Sequence, residues 1–490
     1  MSADSGANFP RIPASFVDPA SRSAELARQE RLHALSEEDR DLVRLAGDPL
    51  FGRWLEQITA VGGCAHPVYL SGTTITRDAS TGEVVSSYST ADEPGERLAV
   101  RCRNRRATVC APCSRLHAGD TFHLVRSGLV GGKSVPDAVR GRPRLFVTLT
   151  APGFGPVHHT ADGQRCRPRR DGPVCEHGRP LGCGQVHVDG DPLVGLPLCA
   201  DCYDYVGHVL WHAHAGRLWD RFTTGVRRHL ATAAEIPRSK LGRHVVVSFA
   251  KVAEYQRRAA VHFHAVVRLD GPAGPGDLPP AWATGELLAE AVRSAAAAAS
   301  IRVPESHAFG TELLGMGREL DVRPIRAFGK DEGLSDDAVA AYVAKYVTKG
   351  AADTAMGLDH AVSGLDDIRA APVPGHVRAL MGTCWRLGGL AELEHLRLRA
   401  WAHTLGFRGH VLTKSRHYST TYAALRAERA DHQRHTGEEV GHLDTVTDAA
   451  WRYVGSGHTP GAALLAAGIA EDLATNSEIA REELAWSGEG

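Results

Sequence analysis

The stretch HVVVSFAKVAEYQRRAAVHFHAVVRLD, residues 244–270, decides how this chain is read. Two runs rich in β-branched and aromatic residues, 244–255 and 261–270, flank the short segment QRRAA, a pattern that predicts a β-hairpin. On the second strand His262 and His264 are two apart, so both imidazoles point to one face while Phe263 packs on the other. Hairpin pairing sets Glu254 opposite them. Two imidazoles and a carboxylate make a three-point site for Mg2+ or Mn2+ with coordination positions left open. Read in isolation, Glu254 serves nearly as well as a cross-strand partner for Arg257 or Arg258.

Working outward, the apolar run RLFVTLTAP predicts a strand over 145–150, and the chain regains helical periodicity over 203–232, after the first strand and before the hairpin. An Ala-rich helix over 284–300, a strand over 319–325 and a helix over 335–350 follow, the last capped by Ser335 or Asp336 and stopped by Gly350. With the intervening insertion removed, the order is β-α-β-β-α-β plus a trailing helix. That order predicts an α+β fold of the ferredoxin-like type, an antiparallel sheet with helices on one face. Four regions are expected: a helical segment over 1–60, a zinc-binding module over 61–140, the sheet domain over 141–350 with an insertion at about 160–203, and a mainly helical region over 351–490.

The trailing helix carries AAYVAKYVTKG. Tyr342 and Tyr346 are four apart and stack on one face, and Lys345 and Lys349 each follow a tyrosine by three on that face. A phenol is a poor nucleophile at its pKa near 10, and neighbouring ammonium groups favour the phenolate and hold a phosphate. The bland alternative is an ordinary amphipathic helix. Beside two histidines and a carboxylate, however, a tyrosine pair points to transesterification of a phosphodiester.

The 490 residues carry ten cysteines. Cys64, Cys102, Cys110 and Cys113 include a C-x2-C pair and suit one structural Zn2+. A second group offers Cys166, Cys175, Cys183, Cys199 and Cys202 with His177 and His187 nearby; Cys175, Cys183, Cys199 and Cys202 are the preferred four. Cys384 stands apart as a core residue. Arginines sit beside both groups, among them Arg105, Arg106, Arg169 and Arg170, which are candidate DNA-phosphate contacts. The run FRGHVLTKSRHYSTTYAALRAERADHQR, 407–434, combines Arg, Lys and Tyr and suits the same backbone.

Lys+Arg 56 against Asp+Glu 57 leaves a net charge of -1, so a nucleic-acid partner must be met by local patches. Only seven of those basic residues are lysines, and two of the seven are Lys345 and Lys349. No apolar run approaches a membrane span, and the first residues lack the basic head and apolar run of a signal peptide, so a cytoplasmic protein with no membrane partner is expected.

FVTLTAP (146–152), EYQRRAAVHFHAVVRL (254–269) and AAYVAKYVTK (340–349) together resemble the three motifs of the HUH endonucleases, and the paired tyrosines resemble their two-tyrosine branch. More narrowly, 60–430 resembles the replication initiators of actinomycete rolling-circle and integrative plasmids, carried by CAPCSRLHAGDTFHL, VAEYQRRAAVHFHAVVRLDG and WAHTLGFRGHVLTKSRHYSTT. The resemblance implies metal ligation by His262, His264 and Glu254. It implies Tyr342 and Tyr346 as nucleophiles, one nicking the origin to leave a 5′-phosphotyrosine and a free 3′-OH and the other resolving the finished strand. Lys345 and Lys349 would steady the scissile phosphate. The implied partner is plasmid origin DNA, single-stranded or supercoiled, with host helicase and polymerase downstream. An HUH relaxase or transposase shares this chemistry, and a non-catalytic zinc-dependent DNA-binding regulator is the alternative of another class. In one respect the turn departs from the family: Ala259, Ala260 and Val261 stand where members commonly carry Gly and often Pro.

Overall fold

The computed structural model describes residues 33–160, 163–167, 174–310, 312–325, 336–348, 360–435 and 444–487, with 27, 30, 31 and 358. Along the chain lie α1 (Glu37–Ala46), α2 (Phe51–Ala60), β1 (Val68–Asp78), β2 (Val84–Ser89), β3 (Leu98–Val100), α3 (Ala111–Val130) and β4 (Arg144–Leu149). Then come α4 (Tyr205–Ala233), β5 (Val246–Tyr255), β6 (Val261–Asp270), α5 (Gly285–Ala298), β7 (Ser300–Arg302), β8 (Leu313–Gly315), β9 (Leu320–Pro324) and α6 (Asp336–Thr348). The remainder is α7 (Leu365–Ala370), α8 (Gly375–Leu387), β10 (Leu412–Lys414), α9 (Tyr422–His435), β11 (Thr445–Ser456) and α10 (Pro460–Ser487). Among the described residues no helix is long and apolar enough to cross a membrane.

The chain divides into two compact units, Met1–Cys102 with Gly441–Gly490, and Arg103–Val440. In the first unit β1 is the middle strand, paired antiparallel with β2, β3 and β11. Thr445–Ser456, which the sequence places in a helical region, is therefore a strand; its pairing partner lies almost 400 residues earlier, beyond the reach of any local pattern. Gly72 admits the pairing, because a Cβ there would lie 2.0 Å from the Ala450 carbonyl oxygen. Buried Glu93 ties this unit together, accepting from Arg53 Nη2 at 2.6 Å, Gln57 Nε2 at 2.5 Å and the Tyr88 hydroxyl at 3.0 Å.

The second unit is built on a five-stranded antiparallel sheet in the order β10-β5-β6-β4-β9. Both β4 and β5 run antiparallel to β6, so they are parallel to one another with β6 between them, joined by the crossover through α4. The fold is mixed α+β with antiparallel sheets, as expected. The expectation of helices on a single face needs correcting, because β6 is buried at all ten positions. On one face Phe263, Ala265 and Val267 meet Trp211, Leu218 and Phe222 of α4 and Leu288 and Val292 of α5. On the other, Phe146, Val252 and Val266 meet Leu124, Val125 and Leu129 of α3 and Val339, Ala340 and Val343 of α6. A strand apolar on both sides needs cover on both sides, and α3, upstream of the β-α-β-β-α-β pattern, supplies part of the second layer.

Two buried ion pairs lock this second layer. Arg144 of β4 donates to Asp336 Oδ1 at 2.7 Å and to the Leu129 carbonyl at 2.5 Å, tying the start of α6 and the end of α3 to the sheet. Arg268 makes a two-pronged contact with Asp270 at 2.8 and 2.9 Å, and Asp270 also accepts from Ser248 at 2.6 Å.

Candidate active site

The β5–β6 hairpin pairs Tyr255 with Val261 and Glu254 with His262. Its turn is closed by Gln256 N–H to the Ala260 carbonyl at 2.9 Å and Ala259 N–H to the Gln256 carbonyl at 2.8 Å. Ala259 adopts φ +63°, the left-handed region where glycine is at ease. The alanine that departs from the family pattern thus occupies a glycine-like conformation, and the register that faces Glu254 toward the histidines is kept.

His262, His264 and Val266 share the face that α6 covers. The Glu254 carboxylate reaches His264 Nε2 at 2.9 Å, and Thr148 Oγ1 lies 3.1 Å from His264 Nδ1. Phe146 stacks on the His264 ring at 6.0 Å between centroids, and the Tyr342 ring meets both edge-on, at 5.7 Å from Phe146 and 5.2 Å from His264. The Tyr342 hydroxyl lies 3.4 Å from His264 Nε2. His262 Nε2 is buried without a hydrogen-bond partner. Burial, reinforced by Arg258 and His264, pushes the His262 imidazole down to about 3, so at neutral pH it is an uncharged ring with a lone pair available.

The structure thus brings Glu254, His262, His264 and Tyr342 together. Lys345, one turn beyond Tyr342, is exposed. Tyr346 falls within α6 with its side chain outside the described residues, and Lys349, Ser335, Arg169 and Arg170 lie outside them altogether. Arg105 is exposed just before α3, its carbonyl accepting from Ser114 Oγ at 2.8 Å. Sequence reasoning passed over Thr148 and Phe146, although alternation along FVTLTAP puts both on one face; their neighbours on β6 became visible only with the β4–β6 register.

The cysteines of the insertion sort differently from the expected set, while the first group keeps its expected members Cys64, Cys102, Cys110 and Cys113. In the first unit the Cys102 N–H donates to Cys64 Sγ at 3.3 Å. In the second, Cys110 and Cys113 are buried at the start of α3. Within the insertion, Cys175, Cys199 and Cys202 gather with His177, while Cys183 joins His158, Cys166 and His187. The ligand atoms of each set lie within 4.8 Å of one another, a donor set and spacing that could hold zinc. The expected four of Cys175, Cys183, Cys199 and Cys202 is thereby corrected: Cys183 follows a different arm of the loop, and His177 takes the fourth place.

The family described as "Replication initiator protein, pSAM2" matches residues 50–471. A curated "Replication initiator protein" of Streptomyces ambofaciens is 46% identical over 452 residues, covering 90% of this chain and 95% of that relative. No solved structure matches. With a family match across the two units and a relative this similar over nearly its whole length, the chain belongs to the pSAM2 replication initiator protein family.

Proposed function

We propose that this protein initiates plasmid replication by nicking one strand of the origin, with a tyrosine of α6 as nucleophile and a divalent cation on the hairpin, in the manner of the two-tyrosine HUH endonucleases. The observation that carries the reading is the convergence of His262, His264, Glu254 and Tyr342 on one buried face of the sheet. The strand order, with β6 between the parallel pair β4 and β5, supports the ferredoxin-like assignment.

The residues fit such a cation. His262 offers a desolvated ring nitrogen with no partner, and His264 Nε2 faces a carboxylate oxygen. A proton on Nε2 satisfies that second pair in isolation, with the Thr148 hydroxyl donating to Nδ1. With a cation held, Thr148 would instead accept from Nδ1–H, so that the Nε2 lone pair would serve as the ligand. Nitrogen and carboxylate donors with open positions suit Mg2+ or Mn2+, and a cation held by His262, His264 and Glu254 would supply charge neutralisation for a scissile phosphate.

The protein's own groups do the rest. The Tyr342 phenol loses its proton and its oxygen attacks phosphorus. A tyrosine–phosphate bond forms, the bond to the 3′ oxygen breaks, and that oxygen takes up a proton to leave the 3′-OH a polymerase extends. Phe146 fixes the plane of His264 by stacking, and Lys345 lies one helical turn from the phenol, where an ammonium attracts phosphate. Tyr346 would serve the second transfer. Incubation with Mn2+ and a single-stranded origin oligonucleotide should yield a covalent protein–DNA adduct. An adduct that persists in the double Tyr342→Phe, Tyr346→Phe variant overturns the reading.

A further inference from the structure

The loop between β4 and α4 has too few apolar residues to fold around a core, yet eight of its side chains converge on two points. At the first, His187 Nε2 lies 3.2 Å from His158 Nδ1 and 3.4 Å from Cys183 Sγ, and Cys166 completes the set. At the second, His177 Nδ1 lies 3.2 Å from Cys202 Sγ, with Cys175 and Cys199 alongside. Tetrahedral zinc, with bonds of about 2.0 Å to nitrogen and 2.3 Å to sulfur, sets its ligands about 3.3–3.8 Å apart, close to the 3.2–3.4 Å of these three pairs. His187 carries a further mark of a ligand. Its Nδ1 donates to Asp191 Oδ2 at 2.5 Å, which leaves Nε2 bare and aimed at the other three donors.

We infer that the insertion holds two zinc ions, one on His158, Cys166, Cys183 and His187 and one on Cys175, His177, Cys199 and Cys202, and that the first holds the hairpin turn beside the active site. The arm beyond His187 returns to the sheet domain: Gly195 N–H donates to the His158 carbonyl at 2.9 Å, His158 N–H donates to the Leu196 carbonyl at 2.9 Å, and Val157 pairs with Pro197. At Gly195, φ +92°, a Cβ would stand 2.4 Å from the Arg257 carbonyl carbon. That backbone contact falls on the turn that leads directly into Val261 and His262. Arg258 of the same turn donates to the Pro152 and Ala151 carbonyls at 2.8 and 3.0 Å, so the turn is held from two sides. The Cys175 set, in contrast, sits at the foot of α4, whose first turn Asp204 caps.

The full-length protein decides this by elemental analysis. The pair His158→Ala, Cys183→Ser should remove one zinc per chain, the pair Cys175→Ser, His177→Ala a different one, and all four together two. If either pair leaves the zinc content unchanged, or either alone removes two, the assignment is wrong. Because ligand variants can fail to fold, Asp191→Asn provides a test outside the ligand sets. It should make one zinc per chain about 10–100-fold easier to extract by a competing chelator, and an unchanged extraction curve overturns the first site. For the role at the turn, trypsin reports without reference to nicking. Loss of the first zinc should open cleavage after Arg257, loss of the second should not, and equal protection in both variants overturns the positioning role.

Discussion

Glu254 pairs across the hairpin with His262, yet its carboxylate lies 2.9 Å from Nε2 of His264. The side chain thus reaches the diagonal neighbour, two residues along β6, which a long side chain on a twisted antiparallel ribbon can do. The consequence is a division of labour between the histidines. His264 is held by Glu254, Thr148 and Phe146, while His262 is buried with its Nε2 unspent.

That division gives a first prediction. Glu254→Ala should abolish Mn2+-dependent nicking. Thr148→Val, which keeps the shape and removes the partner of Nδ1, should weaken Mn2+ binding by about 10–100-fold. Titration of the metal against nicking rate and against calorimetric binding checks both, and a Thr148→Val protein with wild-type metal affinity would show that the hydroxyl orients nothing.

The Arg144–Asp336 pair anchors the start of the tyrosine helix, and both side chains are almost fully buried, at 1% and 2% exposure. Asp336→Ala leaves an uncompensated guanidinium in the core, so it should cost about 3–5 kcal/mol in denaturant unfolding. The exposed Arg126–Asp337 pair beside it offers a control: Asp337→Ala should cost no more than about 1 kcal/mol.

Ala259 is fully buried at a left-handed φ. Replacing it with glycine relieves about 1–2 kcal/mol of backbone strain and loses about 0.8 kcal/mol of methyl burial. Ala259→Gly should therefore be neutral to slightly stabilising. Ala259→Val, branched at a position that already resists a Cβ, should lower the melting temperature, and a stabilised valine variant would contradict the turn geometry.

His212 of α4 donates from Nδ1 to the Leu405 carbonyl at 2.9 Å and accepts the Val261 N–H on Nε2 at 3.1 Å. Burial pushes this ring down to about 4, so the folded protein holds it neutral while the unfolded chain takes up a proton near pH 6.5. Its contribution is fully present above pH 6.5 and is lost as pH falls from there toward 4. Chemical denaturation at pH 7 and at pH 4.5 should show wild type losing more stability than His212→Gln, with equal losses showing that this ring does not titrate with folding.

The sequence by itself determined what depends on spacing along one element. The His-x-His repeat put two imidazoles on one face because strand side chains alternate, the five-residue turn set Glu254 across from them, and the Tyr-x3-Tyr spacing follows from 3.6 residues per helical turn. Only the tertiary structure decided what depends on residues far apart in the chain. Part of the cover of the second sheet face came from α3, the strand 445–456 found its partner in β1, Thr148 came to His264 across the β4–β6 register, and Cys183 went to His158 rather than to Cys175. The physical reason is the same in each case. A local period is fixed by backbone geometry within a few residues, whereas a metal set, a sheet partner or a covering helix is selected by which folded arrangement satisfies all the donors and buries all the apolar faces at once.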